Sequence, residues 1–302
     1  MLGVELPIVQ APMGWIARSQ LASAVSNAGG MGIIETSSGE LVAIKVEIKK
    51  MRDLTDKPFG VNIAQAFVRD PNIVQFVIDQ GVKFVTTSAG SPMKYTADLK
   101  AGGLMVFHVV PTLDAALKAV AAGVDGLIVE GGEGGGFKNP NDVASMVLLP
   151  LVRSKVDVPI IAAGGFIDGK TMAAAFSLGA EGIQMGTRMV SAAESPVHDN
   201  WKSAIVDAKE TGTVFLNKFH SPALRALRTE RTSRLERDPE TNVMSEFGSA
   251  LDLYFGGDME AAIPLSGQVA GRIESVKPVA EILAETQAEF FETVNSLAGN
   301  YL

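Results

Sequence analysis

"VPIIAAGGFIDGKTMAAAFSLGAEGIQMGTRMV", residues 158–190, leads an apolar run into two glycines, then an amphipathic stretch, then a second apolar run into "MGT". Short Val/Ile-rich runs bounded by glycine read as strands covered on both faces, and Asp168 stands at a helix-start position ahead of "GKTMAAAFSLG". Strand, helix and strand in that order imply a parallel crossover. Working outward, the same alternation recurs along the chain. "PIVQAPMG" precedes "SQLASAVSNAGG", "MGIIET" precedes "ELVAIKVEIKKMRDL", "FGVNIA" precedes "NIVQFVIDQG" and "KFVTTSAG" precedes "PMKYTADLKAGG". "LMVFHVVP", "GLIVEGG" and "GIQMGTRMV" each open a further unit, completing eight. Eight strictly alternating units predict a (β/α)8 TIM barrel over residues 1–210 in preference to an open doubly wound sheet. Residues 211–302 carry mixed helical periodicity without the alternation, which predicts a helical extension or lid packed on the barrel.

Composition narrows the function. The 302 residues are 47% hydrophobic and 20% charged, enough to build a core around a deep cofactor pocket. A net charge of −8 gives no reason to attract nucleic acid or an anionic membrane. With no cysteine, disulfides, thiolate nucleophiles and cysteine-held metals are excluded, and no metal site is expected. The N-terminus lacks a signal-peptide pattern and no apolar run reaches membrane-spanning length, so a cytoplasmic enzyme is expected.

In a barrel, chemistry gathers on the loops after the strands. The unusual residues fall there: Ala11, Pro12, Met13 and Gly14; Asn62; "TSAGSP"; His108; the glycine turn at 131–136; "AAGGF"; and "MGTR". Gly164 and Gly165 with Met185, Gly186 and Thr187 offer backbone N–H groups and a hydroxyl, a phosphate cradle of the kind barrels make after their last two strands. Tight turns alone also call for glycine. A phosphate there fits a phosphorylated substrate or flavin mononucleotide. The apolar Ala11–Gly14 loop and the amides of Asn62 and Gln184 favour the flavin.

These residues resemble a known family. "LPIVQAPMGWIA", "SNAGGMGII", "GVNI", "VEGGEGGGF", "VPIIAAGGFIDG" and "GIQMGTRMV" are similar to the nitronate monooxygenase (2-nitropropane dioxygenase) family, related to flavin-dependent enoyl-acyl-carrier-protein reductases and NAD(P)H:quinone reductases. The match runs in register from residue 6 to about residue 190, and "PLSGQVAGRIESVKPVAEIL" at 264–283 resembles the family's C-terminal segment. The resemblance implies FMN held by Gly164, Gly165, Gly186 and Thr187, with ring contacts from Ala11–Gly14 and Asn62. It further implies cofactor contacts from Glu130, Gly134, Gly135 and Gly136, and a substrate side formed by Phe137, His220, Gly267 and Gln268.

One departure stands out. Most members end the glycine turn with histidine, written E-A-G-G-H, as the base or proton donor. Here the match reads Glu133, Gly134, Gly135, Gly136 and Phe137, which has nothing to titrate. His108 is then the candidate catalytic residue, against a satisfied near-core histidine; His198 reads as an exposed helix start, and His220 could close over the site. Val109 and Val110 replace the lysine side of a strand-5 His–Lys pair and lean toward the reductase relatives. Lys218, Arg225, Arg228, Arg231, Arg234 and Arg237 form either a solvated helix face or a clamp for the phosphates of coenzyme A or NADPH. The reading is an FMN-dependent oxidoreductase of alkyl nitronates or a related small substrate. The alternatives are NAD(P)H-dependent reduction of an acyl-CoA-type enoyl thioester or quinone, and a non-catalytic flavoprotein. A homodimer is a further expectation.

Overall fold

The computed structural model describes residues 1–238 and 240–301. Its strands are β1 Ile8–Gln10, β2 Gly32–Glu35, β3 Phe59–Ala64, β4 Phe84–Ser88, β5 Met105–Val110, β6 Gly126–Glu130, β7 Gly136–Lys138, β8 Ile160–Ala163, β9 Gly182–Met185, β10 Thr213–Leu216 and β11 Ala223–Leu227. Eight of them form a parallel sheet in the order β1-β9-β8-β6-β5-β4-β3-β2. Val9 bridges Met31, with Gln10 N–H on Met31 O at 3.0 Å and Met31 N–H on Ile8 O at 2.9 Å, so the two edge strands meet and the sheet closes into a barrel. The helices Ser19–Asn27, Leu41–Leu54, Ile73–Asp79, Thr96–Ala101, Leu113–Ala121, Ser145–Arg153, Gly169–Ser177 and Asp199–Val206 fall one to each barrel strand, as the eight-unit alternation predicts.

Side chains alternate between two cores. Val9, Met31, Ile33, Phe84, Phe107, Ile128, Ile161 and Ala163 fill the barrel, where Phe84 and Phe107 meet edge to face at 5.3 Å. Gly126 leaves room for the Phe107 ring, which any side chain at 126 would strike. Their neighbours Val85, Val106, Val110, Leu127, Val129, Ile160 and Ile183 point outward against the helices. Each large aliphatic side chain moved into that layer stabilises the fold by about 1.5–3 kcal/mol.

The C-terminal part is helical at its end and begins otherwise. β10 and β11 make an antiparallel hairpin that adds to β7, with Phe137 opposite Leu224 and Lys138 opposite Ala223. Helix Glu230–Glu236 starts only after a capping box between Thr229 and Thr232. Arg225 therefore sits in a strand, and the arginines that recur every three residues do not share one helix face. The long helix Val279–Tyr301 packs on Gly169–Ser177, where Gly169 N–H donates to Glu289 Oε2 at 2.9 Å and Phe176 meets Phe290 at 5.2 Å.

Candidate active site at the barrel mouth

Strand register decides what the mouth presents. Asn62 pairs with Thr86, and Gln184 with Ala163, which in turn pairs with Glu130. Phe84, two residues before Thr86, lies in the barrel core, as does Ala163 itself, so the side chains of Asn62, Thr86, Gln184 and Glu130 all point inward at the C-terminal end. Asn62 Nδ2 donates to Thr86 Oγ1 at 2.9 Å, which leaves its carbonyl oxygen for the mouth. Gln184 is 7% exposed, and its Oε1 has no partner among the described residues. A buried acceptor left unmatched costs about 1–3 kcal/mol, so this oxygen is placed for a donor that the chain does not supply.

The Ala11–Gly14 loop is tied down from both ends. Ala11 N–H donates to Met185 O at 2.9 Å. Behind it Trp15 adopts a left-handed φ of 65°. Glu35, 1% exposed, accepts from Trp15 N at 3.3 Å, Ser37 N at 2.7 Å and Ser38 N at 3.0 Å, and pairs with Arg18 Nε at 2.9 Å. This organising carboxylate was not foreseen; its only signal was a glutamate in phase with the inward face of β2. Burial, with Glu35 nearby, pushes the Tyr254 phenol up to about 12. Met185 itself is fully buried in the outer core, so its side chain does not reach the mouth.

The corner after β8 and β9 is a nest of free donors. Gly164 and Gly165 have φ of 83° and 96°, the left-handed region that favours glycine, and a Cβ on Gly164 would stand 2.7 Å from Gly131 O. Among the described residues no backbone acceptor takes the N–H of Gly164, Gly165, Gly186 or Thr187. Thr187 Oγ1 accepts from Gly267 N at 2.8 Å, which leaves its own proton to be donated. On Gly186 a Cβ would meet only Ala11 Cβ, at 3.6 Å. The helix that follows, Thr187–Val190, has four residues, so this corner acts through individual amides.

The glycine turn is held from every side. Glu133 accepts from Ser145 N at 3.0 Å and Ser145 Oγ at 2.8 Å, fixing the turn to the helix Ser145–Arg153. Arg225 Nε donates to Gly132 O at 2.7 Å, and Gln268 N to Glu133 O at 2.9 Å. Burial holds the Arg225 guanidinium below its ordinary value, opposed by Asp142 and Glu133. A Cβ on Gly135 would stand 2.6 Å from Gly267 N, and Gly136 has φ of 85°. At its end Phe137 lies between Phe67, at 5.4 Å, and Phe247, stacked at 6.4 Å. Three rings from three separate segments thus form one aromatic wall.

The histidines stand elsewhere. His108 lies between the outward residues Val106 and Val110, is 3% exposed, and shares a 2.7 Å hydrogen bond between Nδ1 and Thr87 Oγ1. Burial pushes it down to about 4. Of the two readings set out for it, the geometry matches the satisfied core histidine: its ring is directed away from the mouth. His198 Nδ1 accepts from Asn200 N at 3.1 Å, and His220 Nε2 lies 3.3 Å from Glu240 O. Three arginines of the basic segment have partners within the extension. Arg228 pairs with Glu236 at 2.6 Å, Arg231 donates to Glu246 O at 2.5 Å, and Arg234 is 3.8 Å from Glu246.

With this geometry, the family can be stated. The nitronate monooxygenase family model matches residues 1–75 and 64–289. The chain belongs to that family. Within and around it, a (3aS,4S,5R,7aS)-5-hydroxy-7a-methyl-1-oxo-octahydro-1H-indene-4-carboxyl-CoA dehydrogenase of Mycobacterium tuberculosis is 39% identical over 239 residues, covering 78% of this chain and 67% of the relative. FabK of Thermotoga maritima superposes with a TM-score of 0.93 at 40% identity, over 99% of this chain and 96% of that one. A nitroalkane oxidase of Streptomyces ansochromogenes superposes with a TM-score of 0.85 at 26% identity, over 98% of each chain. The relatives make the chain an oxidoreductase. Among the described residues no helix is long and apolar enough to cross a membrane.

Proposed function

We propose that this nitronate monooxygenase family member is an FMN-dependent oxidoreductase whose substrate is a conjugated (enoyl) acyl thioester, of coenzyme A or a carrier protein. The observation that carries the reading is the aromatic wall of Phe67, Phe137 and Phe247 where a titratable side chain would otherwise stand. A flat apolar surface favours an extended acyl group over a small anion that must be deprotonated. The 39% identity to a carboxyl-CoA dehydrogenase supports the same class.

The mouth fits the cofactor. Gly164, Gly165, Gly186 and Thr187 would hold its phosphate through donors that have no other backbone acceptor. Asn62 would take the polar edge of its ring and Gln184 Oε1, otherwise unmatched among the described residues, a hydroxyl of its ribityl chain, while the Ala11–Gly14 loop would back one face of the ring. FMN when bound supplies the hydride acceptor and donor. Phe137 excludes water from the substrate side and moves no proton, and His108 faces the helices. Proton abstraction from a neutral nitroalkane has no base at either position, whereas hydride transfer from NADH or NADPH needs none, and hydride delivery to Cβ of an enoyl thioester needs only a proton at Cα, which solvent would supply.

A second reading, oxidation of an already anionic alkyl nitronate, keeps its place because the family model carries that name and the chemistry also dispenses with a base. Protein as purified should be yellow and release one FMN per chain on denaturation. Steady-state assays with an enoyl-CoA plus NADH or NADPH, set beside propionate 3-nitronate, decide between the two. Turnover of the nitronate alone overturns the thioester assignment, and colourless protein that FMN does not reconstitute overturns the cofactor.

A further inference from the structure

Just past the glycine turn stands a charged side chain that the proposed chemistry leaves unused. Lys138 ends β7 with its side chain 4% exposed, its ammonium paired with Glu130 and 3.5 Å from Gly131 O. Lysine is seldom buried so fully, because removing its charge from water costs several kcal/mol unless a counter-charge and hydrogen bonds replace the solvent. The turn is shaped around this pair: a Cβ on Gly134 would stand 2.5 Å from Lys138 Nζ and 2.6 Å from Glu130 Oε1. Alternation along β7 sends Lys138 to the face opposite Phe137.

Glu130 is the member of the pair that a ligand can reach. It closes β6 in register with Ala163, which is in register with Gln184, so its carboxylate and the unmatched Gln184 Oε1 belong to one inward row across three adjacent strands. The Glu130 side chain stays 25% exposed while the lysine behind it does not. Both ends of the row offer acceptors. Gln184 lies on β9, which leads into 186–187, and Glu130 on β6 beside β8, which leads into 164–165, so the acceptors flank the corner of free amides.

We propose that Lys138 is a positioning residue: it fixes Glu130 as a hydrogen-bond acceptor, so that Glu130 and Gln184 together read the donor groups of a polyhydroxylated chain leading from the anion corner into the mouth. The proposal rests on the FMN reading above, whose ribityl hydroxyls are such donors. Without the ammonium, the carboxylate loses its counter-charge and its fixed direction, and the acceptor row is broken at one end.

The test uses the full-length apoprotein and three variants, Lys138→Met, Glu130→Gln and the double variant, titrated with FMN and with lumiflavin, which lacks the ribityl chain and phosphate. Flavin fluorescence gives affinity and circular dichroism confirms the fold. Affinity for FMN should fall about tenfold or more in each single variant, the loss of one charge-assisted hydrogen bond, and no further in the double variant. Affinity for lumiflavin should not change. Additive losses, or a parallel loss of lumiflavin, would mean the pair is only structural; these overturn the proposal and leave the FMN reading intact. If lumiflavin binds wild-type protein below detection, additivity alone decides. Should Lys138→Met not fold, the double variant buries a neutral pair, and its FMN loss relative to Glu130→Gln decides instead. Wild-type protein that binds no FMN removes both claims.

Discussion

The two glycine-rich corners of the mouth look alike in sequence and are built for opposite ends. In the corner after β8 and β9, Gly164, Gly165 and Gly186 keep N–H groups that no backbone acceptor takes, and a side chain at 186 would meet almost nothing. In the turn after β6, by contrast, Gly134 and Gly135 are glycine because Lys138 and the 266–267 backbone already occupy the space a Cβ needs, and the carbonyls of Gly132 and Glu133 are bonded to Arg225 and Gln268. One corner keeps amides that no backbone acceptor takes among the described residues; the other is packed solid, with Glu130 and Phe137 at its flanks. Glycine content does not distinguish the two. Whether each polar atom is free or already bonded does.

The sharpest way to break that comparison is Gly186→Asp. Its backbone φ is not in the left-handed region and its Cβ has room, so the fold should survive while a carboxylate enters the anion corner. Like charges brought together in a partly desolvated site cost several kcal/mol, so FMN affinity should drop about 100-fold or more. Equilibrium dialysis at matched circular dichroism checks it. Retained flavin would mean that this corner does not hold the phosphate.

His108 puts the same distinction to a titratable group. Burial pushes its imidazole down to about 4 in the fold, against an ordinary 6.5, so the unfolded chain binds the extra proton first as pH falls. Stability should therefore be full above about pH 6.5 and decline toward pH 4, by on the order of 3 kcal/mol at most. Urea midpoints across that range should flatten in His108→Gln, which keeps a partner for Thr87. The pH profile of turnover between 5 and 8 should not change. An acidic limb, activity falling with pH, that vanishes with the substitution would restore His108 as the catalytic base.

Gly135→Ala probes the packed corner. The new methyl would press on Gly267 N, a crowding that costs about 1–3 kcal/mol of stability. Thermal melts should show that loss, with one FMN still bound per folded chain. Loss of flavin without loss of stability would make this turn a cofactor cradle like the other.

Much of this was legible because it is local. Apolar periodicity located all eight barrel strands and their helices, and Asn62 and Gln184 stood out as amides near strand ends; that Asn62 lies within β3 and that both turn inward came from the strand register. The hairpin was missed because "TVFL" and "ALRAL" become strands only where β7 offers an edge. Lys138 and Glu35 could not be recognised because their partners lie in other segments or depend on register. The outward turn of His108 follows from a single step: Phe107, one residue earlier, takes the barrel interior.

The smallest expected effect on binding is the most informative about chemistry. Phe137→His restores a titratable ring at the end of the packed turn, in a position already framed by Phe67 and Phe247. The backbone there is set by β7 pairing with β11 and by the glycines before it, none of which the substitution touches. Flavin content should stay at the wild-type level, since the anion corner is separate from this wall. Oxidation of neutral nitroethane, absent in the wild type, should appear and be lost as pH falls through the ordinary imidazole range. Enoyl thioester turnover should fall, because a polar ring replaces part of the apolar surface that holds the acyl group. Rapid nitroethane oxidation by the wild type would show that another residue already supplies a base, and the aromatic wall would lose its role in choosing the substrate.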